Sequence, residues 1–239
     1  MLYVVASPIG NLADITIRAL EILRQVDLIA AEDTRHTSVL LHRYEIKKPL
    51  TSLHQHNEAR RTAELVERLR AGANIALITD AGTPSVSDPG FRLITACRQA
   101  DLPLTIIPGP SAVLTALVGS GLPTHAFYFG GFLPVKSGQR SRELAVAITR
   151  NCTSIYFESP HRLQKSLVEL EALAPVHPIC VARELTKQFE TFHRGTAHQL
   201  RKHFADHPPR GEITLLIAPA KSGAHENKSK ASDEAAPLC

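Results

Sequence analysis

Apolar residues fall along the chain in short runs separated by stretches of helical periodicity. LYVVA, Leu2 to Ala6, is a continuous apolar run and predicts a buried strand. Helical spacing follows around Ile15 to Gln25, and DLIAAED predicts a second strand ending in acids, with a helix after it. From Asn57 to Ala71, Ala59, Ala63, Leu65, Val66 and Leu69 recur among charged residues, and Gly72 follows; this predicts an amphipathic helix with a C-terminal stop. ANIALIT predicts a third strand, Phe91 to Ala100 a helix, PLTIIP a fourth strand, and Ser111 opens another helix. Strands alternating with helices predict a mostly parallel sheet.

The helical pattern stops at GSGLPT, Gly119 to Thr124, where two glycines and a proline predict a domain boundary. Beyond it, AFYFGGF, TSIYFE, PICVAREL, ETFHRG and GEITLLIA predict strands, and Arg140 to Arg150, His161 to Leu173 and Thr196 to Phe204 predict helices. The strand spacing is more mixed here, so this sheet is expected to contain antiparallel pairs. The expected division is residues 1–120, residues 121–219 and a disordered polar tail over 220–239.

Length and composition narrow the class. The chain has 239 residues, 44% hydrophobic and 21% charged, which is the balance of a soluble globular protein large enough to bury a core. Aromatic residues make up 5% and tryptophan is absent, so a surface built to stack many bases is not expected. A net charge of +4 permits an anionic partner without requiring one. The four cysteines, Cys97, Cys152, Cys180 and Cys239, show no CxxC spacing, which argues against zinc and redox motifs. His54 and His56 lack a third partner for a metal, so no metal is expected. MLYVVASPIG lacks a basic n-region, and no run approaches the roughly 20 apolar residues of a membrane span. A cytoplasmic location without membrane contact is the expectation.

Candidate chemistry gathers in four loops that follow the first four strands: SPIGN (Ser7 to Asn11), AEDTRHT (Ala31 to Thr37), TDAGTPSVSDPG (Thr79 to Gly90) and PGPSA (Pro108 to Ala112). In open α/β sheets ligands sit beyond the carboxyl ends of the strands. Glycine and proline let backbone pass close to a ligand and hold it there. GxxxxGK[ST] and GxGxxG are both absent, and the Leu77 to Gly90 loop carries no basic residue. A loop of carbonyls and carboxylates suits hydroxyls, an amino group or a cationic sulfonium better than a polyphosphate. That is the profile of S-adenosyl-L-methionine rather than of ATP or NAD.

SPIGNLADIT, AAEDTRHT, LITDAGTPSVSDPG, IPGPSA, FGGFLP and YFESPHRL, in this order, resemble the tetrapyrrole-methylase family, and within it the branch that methylates small-subunit ribosomal RNA. The likeness covers roughly residues 1–218. It implies an α/β fold of two domains, with a mostly parallel N-terminal sheet, a mixed C-terminal sheet and the cofactor cleft between them. It also implies S-adenosyl-L-methionine as cofactor, 2′-O-methylation of a cytidine ribose in the decoding region of 16S ribosomal RNA, and a homodimer. Carried over by position, Pro8, Asp80, Ala81, Gly82, Thr83, Val86, Ser111 and Ala112 would hold the cofactor, with Glu158 and Leu185 from the second domain. The substrate would be the RNA or the assembled small subunit. Members of the branch continue past the second domain in a lysine-rich helical extension, where this chain carries its polar tail.

A ribose hydroxyl is a poor nucleophile until a base takes its proton. Candidates for that chemistry are Asp33 and Arg35 in AEDTR, and Glu158 and His161 in ESPHR. The structural alternatives are that Asp33 caps the following helix with Arg35 balancing it, and that ESPHR merely starts a helix. Arg183, Glu184 and Lys187 in RELTK stand equally as a surface ion-pair group. KSGQRSRE, Lys136 to Glu143, is expected as a mobile basic loop able to grip phosphates, or as a plain solvated one. Two other functions remain open: methylation of a tetrapyrrole or other small molecule, and a ribosome-binding cofactor sensor without turnover.

Overall fold

The computed structural model describes residues 1–220, so the expectation for 221–239, Cys239 included, lies outside the described residues. Strands β1 (Leu2–Val5), β2 (Leu28–Ala31), β3 (Leu50–Ser52), β4 (Ile75–Ile78) and β5 (Leu104–Ile107) form one sheet in the order β3-β2-β4-β1-β5. Every pairing in it is parallel. Helices α1 (Ile17–Gln25), α2 (Thr34–Arg43), α3 (Glu58–Arg70) and α4 (Phe91–Gln99) cover its two faces. Val5, Ile29 and Ile78 pack on one face with Leu23 of α1 and Leu40 of α2. Their strand neighbours Val4, Ala30 and Leu77 pack on the other with Leu65 of α3 and Leu93 of α4. A strand buried on both faces needs apolar residues at every position, which is why these strands read as unbroken runs.

The second sheet contains β6 (Phe127–Phe132), β7 (Thr153–Glu158), β8 (Pro178–Arg183), β9 (Thr191–Thr196) and β10 (Ile213–Ile217), in the order β6-β7-β10-β8-β9. Only β6 and β7 run parallel; the other pairs are antiparallel. Helices α6 (Ser137–Ala147), α7 (Pro160–Leu173) and α8 (Ala197–Asp206) pack through Leu144, Leu167 and Leu200 against Tyr156, Val181 and Leu215. Ile155, Cys180 and Leu216, each next to one of these strand residues, face the opposite side. There they meet Val113, Ala116 and Leu117 of α5 (Ala112–Ser120), the helix that leaves the first sheet and packs on the second. Side chains alternate across a strand, so each strand serves both layers. The expected α/β architecture, with a parallel first sheet and a mixed second, is what the chain forms.

Two elements differ from the sequence expectation. Strand β3 (LTS) was not expected; it is a short edge strand that pairs with β2 alone and has no buried residue to give it an apolar signature. KSGQRSRE is not a mobile loop. Ser137 begins α6, and Arg140 is buried, with its guanidinium on Glu169 of α7 at 2.5 Å. A charge read as solvated is the bolt between two helices.

Candidate active site

Three of the four loops expected to carry chemistry, SPIGN, TDAGTPSVSDPG and PGPSA, converge with the ends of β7 and β10, and AEDTRHT lies behind them, tied on through Asp33 and Asp80. Between them lies a cleft of about 590 Å³ lined by residues from both halves of the chain. Its floor is set by backbone. Ser7 and Gly82 form an isolated antiparallel bridge, N–H to O at 2.9 and 3.1 Å in the two directions, and the Ser7 hydroxyl donates to the Thr79 carbonyl at 2.9 Å. Gly82 holds φ +76°, a left-handed conformation that glycine adopts without penalty.

Two lining side chains are aimed by the same device. Ser85 and Ser87, on either side of Val86, have φ of +74° and +67°; Glu184 and Thr186, on either side of Leu185, have +52° and +65°. Left-handed conformations at non-glycine residues carry strain, of order 1–2 kcal/mol each. Here they flank two of the apolar residues that face the cleft, one from each half of the chain. The loops are joined as well, since the backbone N–H of Asn11 donates to the Thr186 hydroxyl at 3.2 Å.

An acidic group lies behind the loops at the ends of β2 and β4. The backbone N–H of Asp33 donates to Asp80 at 3.2 Å, and that of Asp80 donates to Glu32 at 3.3 Å. Asp88 lines the cleft beside this pair. Burial, with the charges of Glu32 and Asp80, pushes the Asp88 carboxyl up to about 7. Burial likewise raises Glu32. Burial is the larger cause and the two neighbouring charges add to it, so Asp88 is half protonated near neutrality.

Ala81, Gly82, Thr83, Val86, Ser111, Ala112, Glu158 and Leu185 line the cleft where expected. Ser111 also caps α5, accepting from the N–H of Leu114. Pro8 is buried beneath, and its neighbour Ile9 takes the place on the wall. Asp80 ties strand ends together instead of lining the cavity. Asp33 and Arg35 form the helix cap given as their alternative. Asp33 accepts from the Arg35 N–H at 2.8 Å and pairs with its guanidinium at 2.7 Å, which holds the Asp33 carboxyl well below the usual range. His161 is exposed on the first turn of α7 and does not line the cleft. Glu158 does, but its carboxylate already accepts from Ser159 N–H at 2.7 Å and the Ser166 hydroxyl at 2.6 Å, and pairs with Arg162 at 2.7 Å. Both oxygens are engaged and the side chain is fully buried, which makes it a structural anchor. The RELTK charges are spent locally: Lys187 bridges Glu184 and Glu212, both at 3.0 Å.

Sequence reading missed Asp88, the phenylalanines at 127, 129, 132 and 157, and the Gly211–Thr214 edge. Asp88 stood inside the quoted loop and differed from its neighbours only in being a second acid. The phenylalanines lie on β6 and β7, whose pairing no local pattern reveals.

The cleft fits S-adenosyl-L-methionine on its own chemistry. Among the described residues neither lysine nor arginine lines it, while carboxylates, hydroxyls and the rings of Phe129 and Phe157 do. That set suits a cation, a ribose and a flat heterocycle, and offers nothing to a phosphate chain.

Comparison with known proteins agrees. The family model of Tetrapyrrole (Corrin/Porphyrin) Methylases matches residues 1–201. The ribosomal RNA small subunit methyltransferase I of Synechocystis sp. is 48% identical over 221 residues, 92% of this chain and 79% of that protein. The protein of the same name from Thermotoga maritima is 43% identical over 218 residues, 91% of this chain and 97% of its own. Among solved structures, a uroporphyrin-III C-methyltransferase from Thermus thermophilus complexed with S-adenyl homocysteine superposes with a TM-score of 0.60 at 16% identity, covering 91% of this chain and 96% of that one. By sequence and by fold alike, the chain belongs to the tetrapyrrole methylase family, in the branch of the ribosomal RNA small subunit methyltransferases I.

Proposed function

We propose that the protein is an S-adenosyl-L-methionine-dependent methyltransferase of small-subunit ribosomal RNA, and that the acceptor is the 2′-oxygen of a cytidine ribose. The single observation that carries the cofactor is the composition of the cleft, acidic and aromatic with no basic residue among the described ones. The RNA substrate is supported by the names of relatives at 43–49% identity. The ribose acceptor rests on the resemblance and on the acid available at the cleft.

When bound, the cofactor supplies an electrophilic methyl group on a cationic sulfur. The protein supplies position, a counter-charge and a proton acceptor. The Gly82 turn and Ala112 at the start of α5 form walls that side chains do not crowd. Val86 and Leu185, each locked between left-handed residues, close the cleft from two sides and exclude water. Asp88 accepts the proton that the acceptor hydroxyl loses as its oxygen bonds to carbon. A carboxyl near 7 is half ionised at neutrality, the condition under which a general base serves best.

Val118 of α5 is 75% exposed, one turn on from Leu114 at the rim of the cleft, and we assign the apolar surface at Val118 to a homodimer. Sedimentation showing only monomer at micromolar concentration would remove this assignment. No helix among the described residues is long and apolar enough to cross a membrane, and a cytoplasmic site of action follows from the proposed substrate.

Transfer of labelled methyl from S-adenosyl-L-methionine tests the reading, with unmodified small ribosomal subunits, extracted ribosomal RNA and a porphyrinogen offered in parallel. Label in RNA is expected. Label only in the porphyrinogen, or cofactor binding without transfer to any acceptor, would overturn it.

A further inference from the structure

Aromatic residues are scarce in this chain, yet four of its eight phenylalanines line one cleft. Strand β6 is built to put them there. Phe129 pairs with Ile155 and Phe132 with Phe157, three steps along one strand against two along the other. On a regular strand residues 129 and 132 would face opposite ways. The extra residue is a bulge, and it returns Phe132 to the side that Phe129 faces.

Two glycines make the bulge possible. Gly131 has φ +66°, and a Cβ on Gly130 would lie 2.3 Å from the Tyr156 ring. Phe129 and Phe157 pack into the core at 5.0 Å between ring centroids. Phe132 touches Phe157 edge-on at 5.4 Å and stays 60% exposed. Leaving a phenylalanine in water gives folding nothing, and a backbone bulge that keeps it there indicates a ligand for the open ring. The opposite wall is the turn that carries Asp88. A Cβ on Gly131 would meet the Ser87 hydroxyl at 3.4 Å. Beyond the strand, Lys136 is exposed and makes no ion pair among the described residues.

We propose that Phe132 is the stacking platform for the base of the acceptor nucleotide. The RNA enters single-stranded and unstacked at this point, its base on the Phe132 ring and its ribose toward Asp88, with Lys136 placed for a flanking phosphate. Enzymes that modify a nucleotide take it out of the stack, and single-stranded RNA is held by aromatic rings that accept any base. The ring therefore positions the nucleotide and does not choose it. This inference rests on the ribosomal RNA reading given above.

The test uses the full chain and two substitutions at this exposed position. Phe132→Leu should lower kcat/KM for RNA about 5- to 150-fold, the loss expected for one base–aromatic stack, with S-adenosyl-L-methionine affinity unchanged. Phe132→Trp should keep most of the activity. The chain has no tryptophan of its own, so that indole is the sole one in the protein. Its emission should fall on addition of a short oligocytidylate in the presence of S-adenosylhomocysteine, and hold steady with S-adenosylhomocysteine alone. Undiminished kcat/KM in Phe132→Leu, an equal loss of cofactor affinity, or an indole that answers the cofactor and not the RNA would each overturn the proposal. Failure of the wild-type protein to methylate ribosomal RNA would instead overturn the underlying reading, and the indole would still report whether RNA stacks on the site.

Discussion

At the residue scale, two carboxylates divide the work of the cleft by environment. Glu158 is buried, accepts from three donors and holds the end of β7 to the start of α7. Glu158→Gln would set an amide N–H against those donors, and it should cost about 3 kcal/mol in urea unfolding, the scale of a broken buried pair. Asp88 is held near 7 by burial and by Glu32 and Asp80. Asp88→Asn is expected to lower kcat at least about 100-fold and to abolish the rise of kcat/KM with pH through about 7. The stability effect has the opposite slope. An unfolded aspartate titrates near 3.9, so between about 4 and 7 the folded state holds a proton that the unfolded state has lost. The contribution is fully present below about 4 and is lost as pH rises through 7; Asp88→Asn should remove that decline, and identical pH–stability curves for the two proteins would contradict the assignment.

At the element scale, the loop that ends at Gly90 is fastened from outside. Helix α4 has glycine as its N-cap and no side-chain cap of its own. Buried Glu58 of α3 supplies one, its carboxylate accepting from the N–H of Gly90 at 2.9 Å and of Arg92 at 3.0 Å. Glu58→Ala should cost about 1–2 kcal/mol and raise the Kd for S-adenosyl-L-methionine, because the Asp80–Gly90 loop loses its far anchor. A stability loss with unchanged Kd would separate the cap from the loop. This cap also marks the limit of what the chain reveals by itself. Strands β1, β2 and β4 are legible because both faces are buried, and Ser111 is legible as a cap because it bonds within its own helix. Glu58 bonds 32 residues away, and Arg140 finds Glu169 at 29, so each reads locally as one more charge on a helix. The same holds at the site. Gly82, Thr83 and Ser111 announce themselves by loop chemistry. Phe132 depends on a bulge that exists only once β6 and β7 pair.

At the scale of the whole molecule, the cleft is made by two sheets of different construction. A fully parallel sheet brings its loops to one edge, where backbone can hold a ligand. The mixed sheet closes over them with side chains, and α5 spans the two, capped by Ser111 at the cleft and stopped by left-handed Gly121. A ligand held by both halves stabilises their association. At about 100 times its Kd, S-adenosyl-L-methionine should add ~2.7 kcal/mol, raising Tm by about 5–10 °C for a chain of this size. S-adenosylhomocysteine should add less at matched concentration, because it lacks the positive charge that Asp88 in the lining, with Glu32 and Asp80 behind it, would balance; equal shifts would count against the acidic group as counter-charge. The acceptor decides the rest. The most direct measurement is to methylate unmodified small ribosomal subunits with labelled S-adenosyl-L-methionine, digest the RNA to nucleosides and locate the label by mass. One cytidine carrying the methyl group on its ribose is the expected result. Label on a base, or on a ribosomal protein, would contradict the proposal that the cleft brings a ribose hydroxyl to Asp88.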